Sequence, residues 1–354
     1  MLTVTIKHTK ITLFAMCMLI FLSCASSPQK QITGVTTEKD APIWLSDTTK
    51  AFPESDYLAA VGYAADRETS SAMAKSNLIK ILKQRVEAIT QVNQTYKNNL
   101  TEQDRTIDTT VKTSSLIDEI MGLKIQETWV ANDNTIYSLA LLQKKETINY
   151  YKQLIMENEA TINDYLSIVA ENPVSFTGIS ACANALNIAY ENDSCLEIIS
   201  VLDYNTYEGI TLDYESSSAI KVLMEKQNNL IYIGITVGGD SSNRLSTAFA
   251  TSLNNMGFTA KDVSESKNST DIPYTLDVTL VFETLPKSEK SQNITVYFTL
   301  EANLKDSTGK IILPWSYIGK EAHVTESQAK QRAIYTIERL IENEYPKVLQ
   351  KLNR

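Results

Sequence analysis

From Ala41 onward the chain alternates between two hydrophobic periods. Ala41-Pro42-Ile43-Trp44-Leu45 reads as an extended start, and Tyr57 to Ala64 (YLAAVGYA) as a short apolar strand with Gly62 near its end. From about Thr69 to Tyr96 the period becomes helical. Ala72, Ile79, Leu82, Val86, Ile89 and Tyr96 fall on one stripe, with Lys80, Lys83 and Glu87 opposite. The Thr-rich stretch Thr106–Ser115 has strand propensity. Gly122–Val130 and Thr135–Leu142 read as strands that the Ala131-Asn132-Asp133-Asn134 turn joins into a hairpin. Strand, helix, strands is the order of a helix laid across a small antiparallel sheet.

The helical period returns from Lys145 to Glu171, striped by Ile148, Tyr151, Ile155, Ile162, Tyr165 and Val169, and Asn172-Pro173 ends it. Two shorter helices are expected at Ile179–Tyr190 and Ser194–Asp203, parted at Glu191-Asn192-Asp193; Tyr204–Asn229 takes no assignment. Leu230–Val237 is a buried-strand run. A Gly238-Gly239-Asp240-Ser241-Ser242 turn leads into a helix over Asn243–Met256, which Gly257 stops. Phe258–Val263 is a short strand. Clean alternation follows in two longer ones, through Tyr274, Leu276, Val278, Leu280 and Phe282, then Ile294, Val296, Phe298, Leu300, Ala302 and Leu304. A turn at Asp306-Ser307-Thr308-Gly309 leads into Lys310–Leu313. A last helix over Glu326–Leu352, striped by Ile334, Ile337, Ile341, Tyr345 and Val348, should be kinked or interrupted at Pro346. The expected fold class is α+β: two small sandwich domains of helices on mostly antiparallel sheets, at 41–145 and 230–354, joined by a helical connector at 146–229.

Composition narrows the function more than the fold. The 354 residues are 43% hydrophobic and 21% charged, an ordinary globular balance with material for two domains. The formal charge is −9, and removing Met1–Ser23, which takes away Lys7 and Lys10 and no acid, brings it to −11. That charge argues against nucleic acid and anionic headgroups as partners. Of 2 histidines, His8 lies in the first 23 residues, which leaves His323. Ser-His-Asp, Cys-His and multi-histidine metal sites therefore lack their histidines, and no catalytic residue, metal site or cofactor is expected. Of 4 cysteines, Cys182 and Cys195 remain after Cys17 and Cys24 are set aside. In an oxidising compartment they are candidates for one disulfide; as apolar-flanked helix residues they read equally as two buried thiols. The Gly238–Ser242 loop lacks both the GxGxxG and the GK[ST] patterns, and Asp240 would repel a phosphate, so a helix-capping turn is expected there. Acidic pairs such as Asp118/Glu119 and Glu157/Glu159 read as solvated surface.

The first 40 residues carry the chemistry. Lys7 and Lys10 precede ITLFAMCMLIFL at Ile11–Leu22, long enough for a signal-peptide core and too short for the roughly 20 residues of a membrane span. Phe21-Leu22-Ser23-Cys24 closes the run and resembles a bacterial lipobox, with Phe21 where Leu is usual. The resemblance implies cleavage before Cys24 and acylation there, with residues 1–23 a signal peptide and 24–40 (CASSPQKQITGVTTEKD) a polar tether. The acyl chains would hold the protein on a membrane. Ala25 after Cys24 is expected to favour the outer membrane, facing the periplasm.

Trp44, the strand YLAAVGYA, the helix start Ser71-Ala72-Met73-Ala74-Lys75 and the closing ETWV…IYSLALLQK hairpin together resemble the LPP20 lipoprotein family, to which the amino-terminal module of FlgT-type flagellar proteins is related. The resemblance covers about 100 residues and brings no catalytic signature. The order of elements in 230–354 resembles the small envelope domains of the CsgG, TolB amino-terminal and LpoB kind. Together they imply a non-catalytic envelope module that binds a protein partner or the cell wall. The alternative is a periplasmic regulator of a peptidoglycan synthase, in the manner of LpoB. An exposed apolar or tyrosine-rich patch on the last domain would favour docking to a partner.

Overall fold

The computed structural model describes residues 41–96, 113–264, 272–285 and 292–353, so the expected leader, Cys24 and the tether lie outside the described residues. The architecture is α+β, as expected, with one three-stranded sheet and one five-stranded sheet among the described residues. The chain divides into two compact units.

The smaller unit comprises 41–55, Ala59–Leu78 and Lys124–Leu141. Two short helices open it, α1 (Ile43–Ser46) and α2 (Thr48–Ala51), where an extended start was expected. The local hydrogen bonds explain the difference. The Asp47 N–H donates to Ile43 O at 2.8 Å, and the Asp47 carboxylate accepts from the Lys50 N–H at 2.9 Å as the cap of α2. The strands β1 (Tyr57–Ala64), β2 (Lys124–Val130) and β3 (Ile136–Gln143) form a sheet in the order β1-β3-β2, with β2 and β3 antiparallel. Helix α3 (Arg67–Tyr96) begins in this unit. A Cβ at Gly62 would overlap the Ala74 backbone nitrogen and come within 2.6 Å of Ser70 O, so glycine is what lets the strand reach the helix. The buried seam of α3 is Ser70, Ala74, Leu78, Leu82 and Val86, one residue every fourth position, while Ala72 is exposed. Leu82 and Val86 of the expected stripe belong to this seam, while at its start Ala74, which meets the glycine, is buried in place of Ala72.

The larger unit contains Asp56–Leu58, Ile79–Leu123 and everything from Leu142. The end of the Thr-rich stretch is helical over 113–118 rather than extended; its earlier part lies outside the described residues. Helix α4 (Lys144–Glu171) stops at Asn172, and α5 (Phe176–Leu202) packs on it after a short loop. α5 is one helix where two were expected. Glu191-Asn192-Asp193 does not break it because its middle residue is satisfied inside the bundle. Asn158 donates to Asn192 Oδ1 at 2.8 Å, and Asn192 Nδ2 donates to the Tyr214 hydroxyl at 3.2 Å. Asp193 Oδ2 accepts from Ser217 at 2.6 Å. The unassigned stretch forms α6 (Tyr204–Glu208) and α7 (Ser217–Leu230), the latter also packed on α5.

The five-stranded sheet has the order β5-β4-β6-β7-β8. Its strands are β4 (Tyr232–Gly238), β5 (Thr259–Asp262), β6 (Tyr274–Leu285), β7 (Ile294–Asp306) and β8 (Ile311–His323). β4 runs parallel to β5 and β6, and β6, β7 and β8 form an antiparallel meander. Helices α8 (Arg244–Asn255) and α9 (Glu326–Leu349) pack on this sheet and bury Ile233, Ile235, Phe249, Leu253, Leu300, Ile337, Ile341 and Tyr345. Strand β8 continues well past its expected end at Leu313. Pro314 is tolerated because β8 is an edge strand, and Gly319 leaves the place of its missing Cβ to the ring of Phe298, its partner in register. Pro346 sits inside α9, which runs on to Leu349 before a 3-10 turn, with Tyr345 and Leu349 both buried.

Candidate functional site

The two faces of the β6–β8 meander differ in kind. Leu276, Val278 and Leu280 of β6 and Val296, Phe298, Leu300, Ala302 and Leu304 of β7 point into the core. Alternation sends Asp277, Thr279, Val281, Glu283 and Leu285 of β6 to the other side. With them go Thr295, Tyr297, Thr299, Glu301 and Asn303 of β7, and Ser316, Ile318, Lys320 and Ala322 of β8. An antiparallel sheet with one solvated face is expected to be polar there. Here Val281 and Ile318 lie in one row, each in register with Thr299, and they are 56% and 72% exposed. Tyr297 and Leu285 extend this patch toward the next rows at 36% and 41%. Glu283 and Lys320 flank Tyr297 in register, and Glu301 stands between Thr279 and Ser316. An apolar centre with a charged margin is the composition of a protein-docking patch.

Polar groups around this face hold the fold together. Asp277 accepts from Thr236 at 2.7 Å and from Lys305 at 2.6 Å. Burial pushes the Asp277 carboxyl up, but the Lys305 and Thr236 hydrogen bonds and the Lys305 charge outweigh it, so the group lies below its ordinary value. The loop read as a capping turn is one: Asp240 accepts from the Leu245 N–H and from the Ser242 N–H, each at 2.9 Å. These bonds overcome the effect of burial and hold Asp240 below the usual carboxylate value. With both oxygens turned to its own loop, Asp240 leaves no seat for a phosphate. Among the described residues no group of three His, Cys, Asp or Glu is placed to hold a metal ion.

Cys24 lies outside the described residues. Cys182 and Cys195 are both free and buried on α5. Thirteen residues of continuous helix set them roughly 20 Å apart at 1.5 Å per residue. A disulfide needs Cα atoms within about 7 Å, so the pairing left open by the sequence is replaced by two core thiols. Burial pushes Cys182 up to about 11, and burial with the Glu191 charge pushes Cys195 up to about 12, which keeps both protonated and unreactive. His323 ends β8, and its Nδ1 is buried without a partner. The exposed Val281 and Ile318 escaped the sequence reading, which followed the inward alternation; their signal is an aliphatic residue on the polar phase of an alternating strand.

No protein-family model matches the chain, that of the LPP20 lipoproteins included, and no curated protein does. Solved structures with partial likeness include the secreted protein HP1454 from Helicobacter pylori, 10% identical, at a TM-score of 0.40 over 82% of this chain and 98% of its own. A minor lipoprotein from Acinetobacter baumannii is 15% identical, at 0.25 over 35% and 92%. The rare lipoprotein B from Shewanella oneidensis is 11% identical, at 0.23 over 34% and 92%.

Proposed function

We propose that this chain is a lipid-anchored, non-catalytic envelope lipoprotein of the LPP20 type that docks a protein partner through the open face of β6–β8. The observation that carries the docking reading is the exposed row of Val281 and Ile318 with Tyr297 beside it, on a face where alternation calls for polar residues. The anchor rests on the Ile11–Leu22 run and Cys24. Acyl chains at Cys24 hold the protein on a membrane, Ala25 after it favours the outer one with the folded part facing the periplasm, and the tether lets the folded part reach its partner.

Crosslinking in intact cells followed by purification tests this reading. The protein recovered with the native chain should disappear with Ile318→Asp and persist with Val222→Asp, an exposed control on α7. Equal recovery with both variants would refute the docking face. Separately, Cys24→Ala should release the protein from membranes, and unchanged partitioning would refute the anchor.

A further inference from the structure

A second site lies in the larger unit, away from the open sheet face. A groove of about 420 Å³ is bounded by α4, α5, the 3-10 turn and the ends of three strands. That volume lies within the range of small-molecule sites, about 300–1,000 Å³. Its apolar surface comes from Ile168, Phe176, Ile312 and Leu352 together with the rings of Tyr165 and Tyr274. Tyr274 is held in place, its hydroxyl accepting from the Phe176 N–H at 3.4 Å and its ring meeting Phe176 edge-on at 4.8 Å.

The polar lining sets the ligand class. Thr177, Ser180 and Asn184 share one stripe of α5 with Ala181, at the three- and four-residue spacing of a helix face. Their side chains, and the Tyr165 hydroxyl, make no hydrogen bond to the protein among the described residues. Asp306 spends one oxygen on its own turn, Oδ1 accepting from the N–H groups of Thr308 and Lys310, and Oδ2 accepts nothing there. Five unpartnered polar groups thus converge on an aromatic and aliphatic surface. Among the described residues no lysine, arginine or histidine lines the groove, and its one charged group, the Asp306 carboxylate, disfavours a phosphate or carboxylate ligand. The strands meet the groove end-on, each through a single residue, so no strand lies along it to pair a peptide backbone. What remains is a neutral ring that carries several hydroxyl or amide groups on an apolar face.

We propose that this groove binds a neutral saccharide. The ring stacks against Tyr165, Phe176 and Tyr274 while its hydroxyl and amide groups bond to Thr177, Ser180, Asn184 and Asp306 Oδ2. The site is independent of the partner-docking reading, and either can fail alone.

Titration calorimetry on the full mature chain, with chitotriose as the neutral probe and trigalacturonic acid as an anionic one of similar size, tests it. Chitotriose should bind saturably and trigalacturonic acid should not. Asn184→Leu should weaken chitotriose binding about tenfold, equivalent to about 1.4 kcal/mol, with an unchanged thermal melt. Thr177→Val, at a more exposed position, should weaken it less. Absence of saturable chitotriose binding, preference for the anionic sugar, or equal affinity in the native chain and both variants would each overturn the proposal.

Discussion

Two strands of this protein, β3 of the smaller sheet and β7 of the larger, treat their faces differently. In β3, five consecutive residues from Ser138 to Leu142 are buried, so both faces of the strand are covered. Ser138 turns toward α3, bonding Ser70 at 2.8 Å, and Leu139, on the opposite side, is fully buried as well. In β7, buried and accessible residues alternate along the core-facing and outward phases, and the outward phase stays accessible. The same alternation that builds both sheets thus gives a two-sided core element in one and a one-sided platform in the other. A covered strand shows its role by continuous apolar sequence. A one-sided strand shows it where apolar residues intrude on its polar phase, as Val281 and Ile318 do.

Substitutions can break this contrast. The largest effect is expected from Leu139→Ala, which removes a fully buried side chain from the covered strand β3 and should cost about 2–5 kcal/mol in a denaturant titration. Gly62→Ala places a methyl group against the backbone of α3 and should cost about 1–3 kcal/mol, with the helix displaced rather than unfolded. Asp277 gives a pH-dependent test on the open sheet. Its carboxyl is depressed in the folded state, so its stabilisation is present above the unfolded value of about 3.9 and is lost as pH falls through the folded value. The melting temperature of the native chain should exceed that of Asp277→Asn at neutral pH, and the gap should close in acid. A constant gap would show that the effect is packing rather than ionisation. Smallest of all, Ile318→Ser should change stability by less than about 0.5 kcal/mol, because the side chain is already in water.

Periodicity made much of the fold legible. β1, the β2–β3 hairpin, α4, α8 and α9 lie within a few residues of where apolar spacing places them. The misreadings have local causes. Asn192 and Asp193 look like a helix break in sequence, yet Tyr214 and Ser217, some twenty residues onward, satisfy them in the bundle. Pro314 and Gly319 look like the end of a strand, yet an edge position and the Phe298 ring accommodate them. Of the candidate sites, an exposed apolar patch on the last domain was named only as a feature that would favour docking, without its residues. The groove was not foreseen at all. Its stripe of Thr177, Ser180 and Asn184 is the polar face of an otherwise buried helix, and the lining outside α5 comes from five other segments that only tertiary packing assembles.

A photocrosslinking residue in place of Ile318 probes the open face of β6–β8 itself. With the same residue placed at Val222 on α7 as control, and crosslinking carried out in intact cells, the account predicts one discrete protein adduct from position 318 and none from 222. The same adducts from both positions, or none from 318, would contradict it.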